Sequence, residues 1–273
     1  MCLLVLAWKA HPRYRLVVAA NRDEYHDRPA APLSRWSAAP DILAGKDLRA
    51  GGTWLGLDRH RRFGVVTNFR ELVRAPAEAR TRGGLIPKFL GGAAAAGEYL
   101  AALGCEADEY GGFNLLLADA DSLWYASNRS VPFARALAPG VHGLSNERLD
   151  TPWPKLRRVR RGFEEWLGGG GTAEGGELFD LLADRTRAAD EEALPGTGLS
   201  PEWERALSSP FVLNERYGTR CSTLVAIESS GACFVAERRF DPAGDCLGET
   251  QYRLTPAEWP ADAQSLPWAS ATR

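Results

Sequence analysis

The sequence has no excess of either charge and no long apolar run, and each absence excludes a class of protein. Its 273 residues include 33 Lys and Arg against 35 Asp and Glu, so no surplus positive charge is available to bind a nucleic-acid backbone. The early apolar run at 2–8 is too short to span a bilayer and lacks the basic start of a signal peptide. We therefore expect a cytoplasmic protein with no transmembrane segment and no nucleic-acid partner.

Histidine is scarce, and the cysteines do not form a metal-binding or redox pattern. The chain has four histidines and five cysteines, and no two cysteines have CxxC spacing. An odd, scattered set indicates reduced thiols, so we expect neither a disulfide framework nor a metal site. The cysteines are Cys2, Cys105, Cys221, Cys233 and Cys246.

The composition is that of an ordinary globular protein, with hairpins distributed along the chain. Hydrophobic residues make up 45% of the sequence and charged residues 25%, which is enough apolar material for a substantial core. Apolar runs joined by short turns predict antiparallel hairpins at the start, in the middle and at the end. The predicted strands cover residues 2–8, 15–20, 53–58, 63–69, 112–119, 123–127, 219–228, 232–240 and 250–254.

Helical segments lie between these hairpins. We predict two short helices within 85–103 and further helices over 151–167, 177–187 and 201–207, whereas the proline-containing stretch 28–50 is predicted to be a loop. Thr151 is the expected N-cap of the helix over 151–167. Lys155 belongs to the basic face of that helix, which we expect to be solvated. Hairpins covered by segregated helices predict an α+β fold of two stacked antiparallel sheets with helices outside, in a single domain over 1–273.

Cys2 has a special position because initiator methionine is commonly removed before a small second residue. Removal leaves a free α-amine beside the thiol, so that one residue supplies both nucleophile and base. In ordinary peptides the amine has a pKa of about 8 and the thiol one of about 8.5, so proton transfer between them costs little. Cys2 is therefore a candidate nucleophile, and the alternative is a small apolar residue that begins a strand.

Polar residues stand where several apolar strands end, and we expect them to share one rim with Cys2. Asp23 lies where the first hairpin returns towards Cys2 and is expected to hold the amine. An Asn side chain can stabilise an oxyanion, and an Arg close to a thiol favours the thiolate. Each residue taken alone also fits a turn or a cap. The candidates are Cys2, Asn21, Asp23, Asn68, Asn146 and Arg220.

Short motifs run through nearly the whole chain. They are MC at the start, NRDE at 21–24, GGTWLGL at 51–57, TN at 67–68, GGFNLLLAD at 111–119, GLSN at 143–146, TPWPKL at 151–156, YGTR at 217–220 and ERRFD at 237–241. In this order they resemble the NRDE family, also called the Transport and Golgi organisation protein 2 family. The resemblance implies the four-layer αββα sandwich of N-terminal nucleophile hydrolases, and a link to haem trafficking and to lipid or acyl-coenzyme A homeostasis.

A fainter resemblance connects the chain to the choloylglycine hydrolase and penicillin V acylase branch of N-terminal nucleophile hydrolases. The positions that match are Cys2, Asn21, Asp23, Asn146 and Arg220. The chain departs from that branch at Ala20, where the branch has arginine. Arg22 lies two residues further on, and in an extended segment it keeps the same face, so it is a candidate to compensate.

Three functions follow from these patterns. We favour a thiol-dependent amidohydrolase or acyl transferase that acts on a small amide or acyl substrate with Cys2 as nucleophile and requires no cofactor. The alternative is a non-catalytic carrier of haem, lipid or acyl-coenzyme A in the same cleft, which needs an iron ligand or an apolar cleft. A third possibility, S-acylation of Cys2, lacks a polybasic companion segment. The histidines available as iron ligands are His11, His26, His60 and His142.

Overall fold

Two antiparallel sheets form the centre of the molecule. The structure, a computed structural model, describes residues 2–72, 78–189 and 194–260, and the side chain of Cys2 lies outside the described part. Elements are numbered in chain order. The first sheet has six strands in the spatial order β10 (Gly140–Leu144), β1 (Cys2–Trp8), β2 (Tyr14–Tyr25), β11 (Tyr217–Glu228), β12 (Cys233–Phe240) and β13 (Cys246–Leu254).

The second sheet has seven strands that neighbour one another in chain order. They are β3 (Ala30–Trp36), β4 (Ala39–Asp47), β5 (Leu55–Asp58), β6 (Phe63–Asn68), β7 (Phe113–Ala118), β8 (Leu123–Ser127) and β9 (Ala134–Ala136). All the strand pairs in both sheets are antiparallel.

Helices cover the outer face of each sheet. An apolar core between the two sheets contains side chains from both, a second core joins the first sheet to α3 and α4, and a third joins the second sheet to α1 and α2. The predicted four-layer αββα sandwich is therefore confirmed. No helix among the described residues is both long and apolar enough to cross a membrane. The helices are α1 (Leu85–Leu90), α2 (Ala96–Gly104), α3 (Pro154–Gly168), α4 (Glu177–Leu182) and α5 (Pro201–Ala206).

Alternation of side chains along β1 and β2 produces the two cores of the first sheet. In β1, Leu4 and Leu6 face the second sheet, while Leu3 and Val5 face the helices. Both faces are apolar because both are covered, which explains the nearly unbroken apolar runs of these strands. The first hairpin was predicted from these runs and is confirmed, and β2 continues to Tyr25 and so includes the NRDE segment.

The prediction of a loop over 28–50 is wrong, because β3 and β4 occupy most of this stretch. Strand β3 lies at the edge of its sheet, and its pairing with β4 shifts register between Ala31 and Ser34, around Pro32. An edge strand with an irregularity tolerates proline because the missing N–H is not needed for the ladder. Strands β9 and β10 were also missed.

The predicted start of α3 and the predicted exposure of Lys155 are also wrong. The N-cap is Trp153 rather than Thr151, and it is extended, with a ψ of 148°. A residue that precedes proline avoids the helical region, so the helix begins at Pro154. Lys155 is buried, with 1% of its surface exposed, whereas Arg157 on the same helix is exposed.

Gly52 provides a test of the close contact between the GGTWLGL segment and the turn before α1. A Cβ at Gly52 would lie 2.1 Å from the carbonyl oxygen of Gly83, which is backbone and cannot rotate away. We expect Gly52→Ala to lower the free energy of unfolding by about 2–3 kcal/mol, measured by urea denaturation. Gly84→Ala is the control, because a Cβ there meets nothing within 4 Å. Equal stability of the two variants would contradict this packing.

Candidate active site

The ends of three neighbouring strands meet at the NRDE segment. In the sheet, Arg22 of β2 lies opposite Cys2 of β1 on one side and opposite Cys221 of β11 on the other. Arg220 occupies a β-bulge, because the register of β11 on β2 passes from Thr219 directly to Cys221. The backbone of Cys2 is therefore next to the NRDE segment, as predicted from the returning hairpin, whereas its side chain lies outside the described part.

Asp23 is buried and held by β11. Its Oδ1 accepts a hydrogen bond of 2.7 Å from Thr219 Oγ1, and its backbone oxygen accepts one of 2.7 Å from the Tyr217 hydroxyl. Its Oδ2 lies 3.9 Å from Nζ of Lys155, on α3. Only 1% of its surface is exposed, so its charge is compensated by protein groups rather than by bulk water.

Asn21 is equally buried but points to the backbone of the helical layer. Its Nδ2 donates to the carbonyl oxygens of Leu182 at 2.8 Å and Pro210 at 3.0 Å, and its Oδ1 accepts from Ser222 Oγ at 2.6 Å. These bonds join β2 to the end of α4 and to the segment before β11. The described contacts of Asn21 therefore support the fold, and its predicted catalytic role stays a prediction.

Arg22 lies on the opposite face of β2, between the two sheets. Its guanidinium carbon is 4.3 Å from the centroid of the Trp54 ring, and its Nη2 is 3.6 Å from Oδ2 of Asp47 and 3.8 Å from Oε2 of Glu24. It is 5% exposed. Arg22 shares this face with Ala20. It is also directly opposite Cys2 in the pairing of β1 with β2.

Asn146 and Asn68 connect the two sheets. The Nδ2 of Asn146, just after β10, donates to the backbone oxygen of Asn68 at the end of β6 over 2.8 Å. The backbone oxygen of Asn146 in turn accepts from the N–H of Arg70 at 2.6 Å. Asn146 is fully buried, whereas Asn68 is exposed and lines the cleft described next. The two predicted oxyanion donors are thus neighbours with different exposure.

Arg220 holds the turn that follows the NRDE segment. Its Nη1 donates to the carbonyl oxygens of Tyr25 at 2.9 Å, His26 at 3.0 Å and Arg28 at 3.3 Å. Burial, followed by the nearby charge of Arg22, lowers the pKa of Arg220. The predicted effect of Arg220 on the Cys2 thiol stays a prediction, and Arg22 is the cation that lies opposite Cys2 in the sheet.

A cleft of about 570 Å³ opens beside these residues and is lined by parts of both sheets. Trp54, Val66 and Asn68 are among its uncharged lining residues. Although burial alone raises the pKa of Asp47, hydrogen bonds from Arg28 and from the backbone of Ala50 and Arg49 bring it below its usual range. The charged lining residues are Arg22, Arg28, Arg49, Arg80, Arg82, Asp23, Glu24 and Asp47.

The histidines lie elsewhere, so far as the described residues show. His11 stacks near Trp166, His26 Nε2 is 2.9 Å from the Asn214 oxygen, and the pKa of His142 is raised by its hydrogen bond to Asp150. The residues described as lining the cleft include none of the four, and the described part of the chain contains no group of histidine, cysteine and acidic residues that could hold a metal.

Sequence reasoning missed Lys155 and the partners of Arg22, which are Trp54 and Asp47. A signal for Lys155 was present, because it lies four residues before Val159 and eight before Phe163, on the apolar stripe of α3. Trp54 and Asp47 belong to the second sheet, and no local pattern places them beside the first.

Comparisons with known proteins agree with the motif order. Residues 1–242 match the model of the Transport and Golgi organisation 2 family. The Transport and Golgi organization protein 2 homolog of Bos taurus is 34% identical over 261 residues, covering 87% of this chain and 92% of that protein. The Mus musculus homolog is 32% identical with the same coverage, and the Drosophila melanogaster protein is 24% identical over 90% of this chain and 95% of its own.

Two solved structures align with most of the chain at low sequence identity. An orthologue of N-acylethanolamine-hydrolyzing acid amidase from Caenorhabditis elegans aligns with a TM-score of 0.46 and 10% identity, over 82% of this chain and 92% of its own. A mutant conjugated bile acid hydrolase from Clostridium perfringens aligns with a TM-score of 0.45 and 7% identity, over 93% and 92%.

The contacts of Asn21 and Asn68 predict a large loss of stability for one substitution and almost none for the other. Asn21→Ala removes buried bonds to two carbonyls and a hydroxyl, so we expect a loss of about 2–3 kcal/mol in the free energy of unfolding. Asn68→Ala changes an exposed side chain and should alter stability by less than about 0.5 kcal/mol. Urea denaturation of both variants measures the difference. A stable Asn21→Ala protein would show that these bonds contribute little.

Proposed function

The chain belongs to the Transport and Golgi organisation 2 family, and we propose that it is a thiol-dependent hydrolase or acyl transferase with Cys2 as nucleophile. The observation that carries the proposal is the register of the first sheet, which puts the backbone of Cys2 opposite Arg22 and one residue from the level of the buried Asp23. We also propose a cytoplasmic location.

Removal of Met1 would give Cys2, at the start of β1, a free α-amine next to its thiol. The α-amine of Cys2 then lies at the start of β1, beside the NRDE end of β2, where Asp23 can accept a hydrogen bond from it. Arg22 supplies a positive charge opposite Cys2 that favours a thiolate. The nucleophile, its base and their charge partners thereby belong to two adjacent strands.

The proposed reaction has two steps. The Cys2 sulfur adds to the carbonyl carbon of an amide or thioester, its proton passes to the α-amine, and a carbon–sulfur bond forms. The bond to the leaving group then breaks, and the leaving amine or thiol takes the proton from the α-ammonium. Water, or a second amine or alcohol, attacks the acyl-cysteine thioester, releases the acyl product and returns the proton to the thiol.

Asn68 is the better placed of the two oxyanion candidates. Its side chain is exposed in the cleft, whereas the amide of Asn146 is buried and donates to the Asn68 backbone. We propose that Asn68 donates to the developing oxyanion and that Asn146 positions Asn68.

The cleft favours a polar acyl substrate over haem. Five arginines and three carboxylates are among its described lining residues, which gives this part of the lining a net positive charge that suits a substrate with an anionic group. None of the four histidines that the sequence offers as iron ligands is among the described lining residues. No cofactor is needed for the proposed reaction.

Alkylation kinetics test the state of the Cys2 thiol. In the processed protein we expect Cys2 to react with iodoacetamide at pH 7 at least about tenfold faster than the other cysteines, because a cation and an amine lie beside it. Burial raises the pKa of Cys233 to about 12, whereas Cys105 and Cys246 are exposed thiols and serve as internal references. Peptide mapping after a short pulse measures each rate. Preferential labelling of Cys246 or Cys221 would count against the proposal.

Replacement of Cys2 separates an enzyme from a carrier. Cys2→Ala should cost the fold about 1 kcal/mol but abolish turnover of acyl amides and thioesters, because the nucleophile is removed. The measurement compares product release and haem binding for the wild type and the variant, with Cys105→Ala as an exposed-thiol control. Haem binding and transfer that survive the substitution, with no acyl substrate turned over by the processed wild type, would favour the carrier.

A further inference from the structure

A lysine is buried next to the site carboxylate. Lys155 and Asp23 are each 1% exposed, and Lys155 Nζ lies 3.9 Å from Asp23 Oδ2. Lysine is almost never fully buried unless its charge is compensated, because removing an ammonium from water costs several kcal/mol. The two steps of the proposed acyl transfer do not use this ammonium.

The packing of α3 determines where Lys155 lies. The helix begins at Pro154, so Lys155 is in its first turn, and the following apolar residues Leu156 and Val159 belong to the core that α3 shares with the outer face of β1 and β2. Asn21 and Asp23 are on that same face of β2, whereas Arg22 is on the other. Lys155 is therefore a cation on the Asp23 side of the strand, and Arg22 is a cation on the cleft side.

The two oxygens of Asp23 face different partners. Thr219 donates to Oδ1, and the Thr219 hydroxyl itself accepts from the N–H of Val212 at 2.9 Å, so that oxygen is fixed by β11. Oδ2 is the oxygen near Lys155.

We propose that Lys155 is a positioning residue of this site, whose ammonium orients the Asp23 carboxylate and offsets its negative charge beside the amino terminus of processed Cys2. The inference rests on the proposed function. A lone buried carboxylate would hold the α-amine as ammonium, which cannot accept the thiol proton. A second positive charge near Asp23 opposes that effect and keeps the amine available as a base near neutral pH.

Cations lie on both faces of the NRDE end of β2. Ala20, where the resemblance to the acylase branch implies an arginine, is on the inner face of the strand. Arg22 restores a cation to that inner face, and Lys155 provides a second one on the outer face, next to Asp23. Among the described residues, the site thus has at least one cation on each side of β2.

Other charged groups lie around Asp23 and must be considered in any pH profile. The charge of Arg70 also interacts with that of Asp23, and Arg70 pairs with Glu204 of α5 at 2.8 Å. Besides Lys155, the charged or titratable groups next to Asp23 are its chain neighbours Arg22 and Glu24 and the Tyr217 hydroxyl, which donates to its backbone oxygen. Arg70 also interacts with the charges of Glu147 and Glu204.

The test compares full-length Lys155→Met, Lys155→Arg and Arg157→Met proteins, after intact mass has shown that Met1 is removed. The readout is the rate of Cys2 alkylation by iodoacetamide between pH 5.5 and 9.5. For Lys155→Met we expect the profile to move to higher pH by about one unit and the rate at pH 7 to fall about tenfold, because loss of the positive charge favours the protonated amine and thiol. Lys155→Arg should restore most of the rate, and exposed Arg157→Met should match the wild type.

A double-mutant cycle that measures the free energy of unfolding keeps the proposal testable if Lys155→Met folds poorly. Removing one partner of a buried pair leaves the other uncompensated, so Asp23→Asn with Lys155→Met should be less destabilised than the sum of the single variants. If the two losses are additive, or if the double variant is as unfolded as Lys155→Met, the pairing is overturned.

The outcomes distinguish this inference from the proposed function. A folded Lys155→Met protein with the wild-type alkylation profile would overturn the role of Lys155, while rapid Cys2 labelling in the wild type would leave the hydrolase proposal standing. A wild type that retains Met1, or in which Cys2 is not the fastest thiol, would overturn both.

Discussion

The alternation of side chains at the end of β2 is the constraint on which the site depends. Successive residues of the NRDE segment point to opposite faces of the sheet, so Asn21 and Asp23 lie under the helices while Arg22 lies between the sheets. A shift of one residue in the pairing of β1 or β11 with β2 would exchange these faces. The buried apolar residues on both sides of β1 and β2 fix the register, and with it the faces on which Asn21, Arg22 and Asp23 lie.

The two faces of the NRDE segment have different surroundings. On the helical face, Asn21 binds backbone carbonyls and Asp23 is enclosed by Thr219, Tyr217 and Lys155, so these residues are rigidly placed. On the other face, Arg22 stacks on Trp54 and lies near Asp47, and both of these residues also line the cleft. The proposed acyl transfer depends on the buried carboxylate on one face of β2 and on the charged cleft on the other.

Much of the fold was predictable because its sheet signals are local. The hairpins of β1 with β2 and of β5 with β6 follow from apolar runs separated by charged turns. Strand β3 was missed because the prolines that normally exclude a strand are tolerated at an edge, and β4 was missed because Pro40 stands near its start. Lys155 was assigned to a solvated face because four arginines follow it within six residues. Its burial results from the approach of α3 to β2, a tertiary contact that only the spacing to Val159 and Phe163 indicates.

The most direct test of the proposed chemistry is to trap the acyl group on the chain. The processed protein is mixed with short-chain acyl thioesters and with N-acyl amides that carry a carboxylate, quenched in acid, and digested for peptide mapping. We predict an acyl adduct on the amino-terminal peptide at Cys2, absent in Cys2→Ala and lost on longer incubation as product forms. No adduct on any peptide, or an adduct on Cys105 or Cys246 only, would contradict the account.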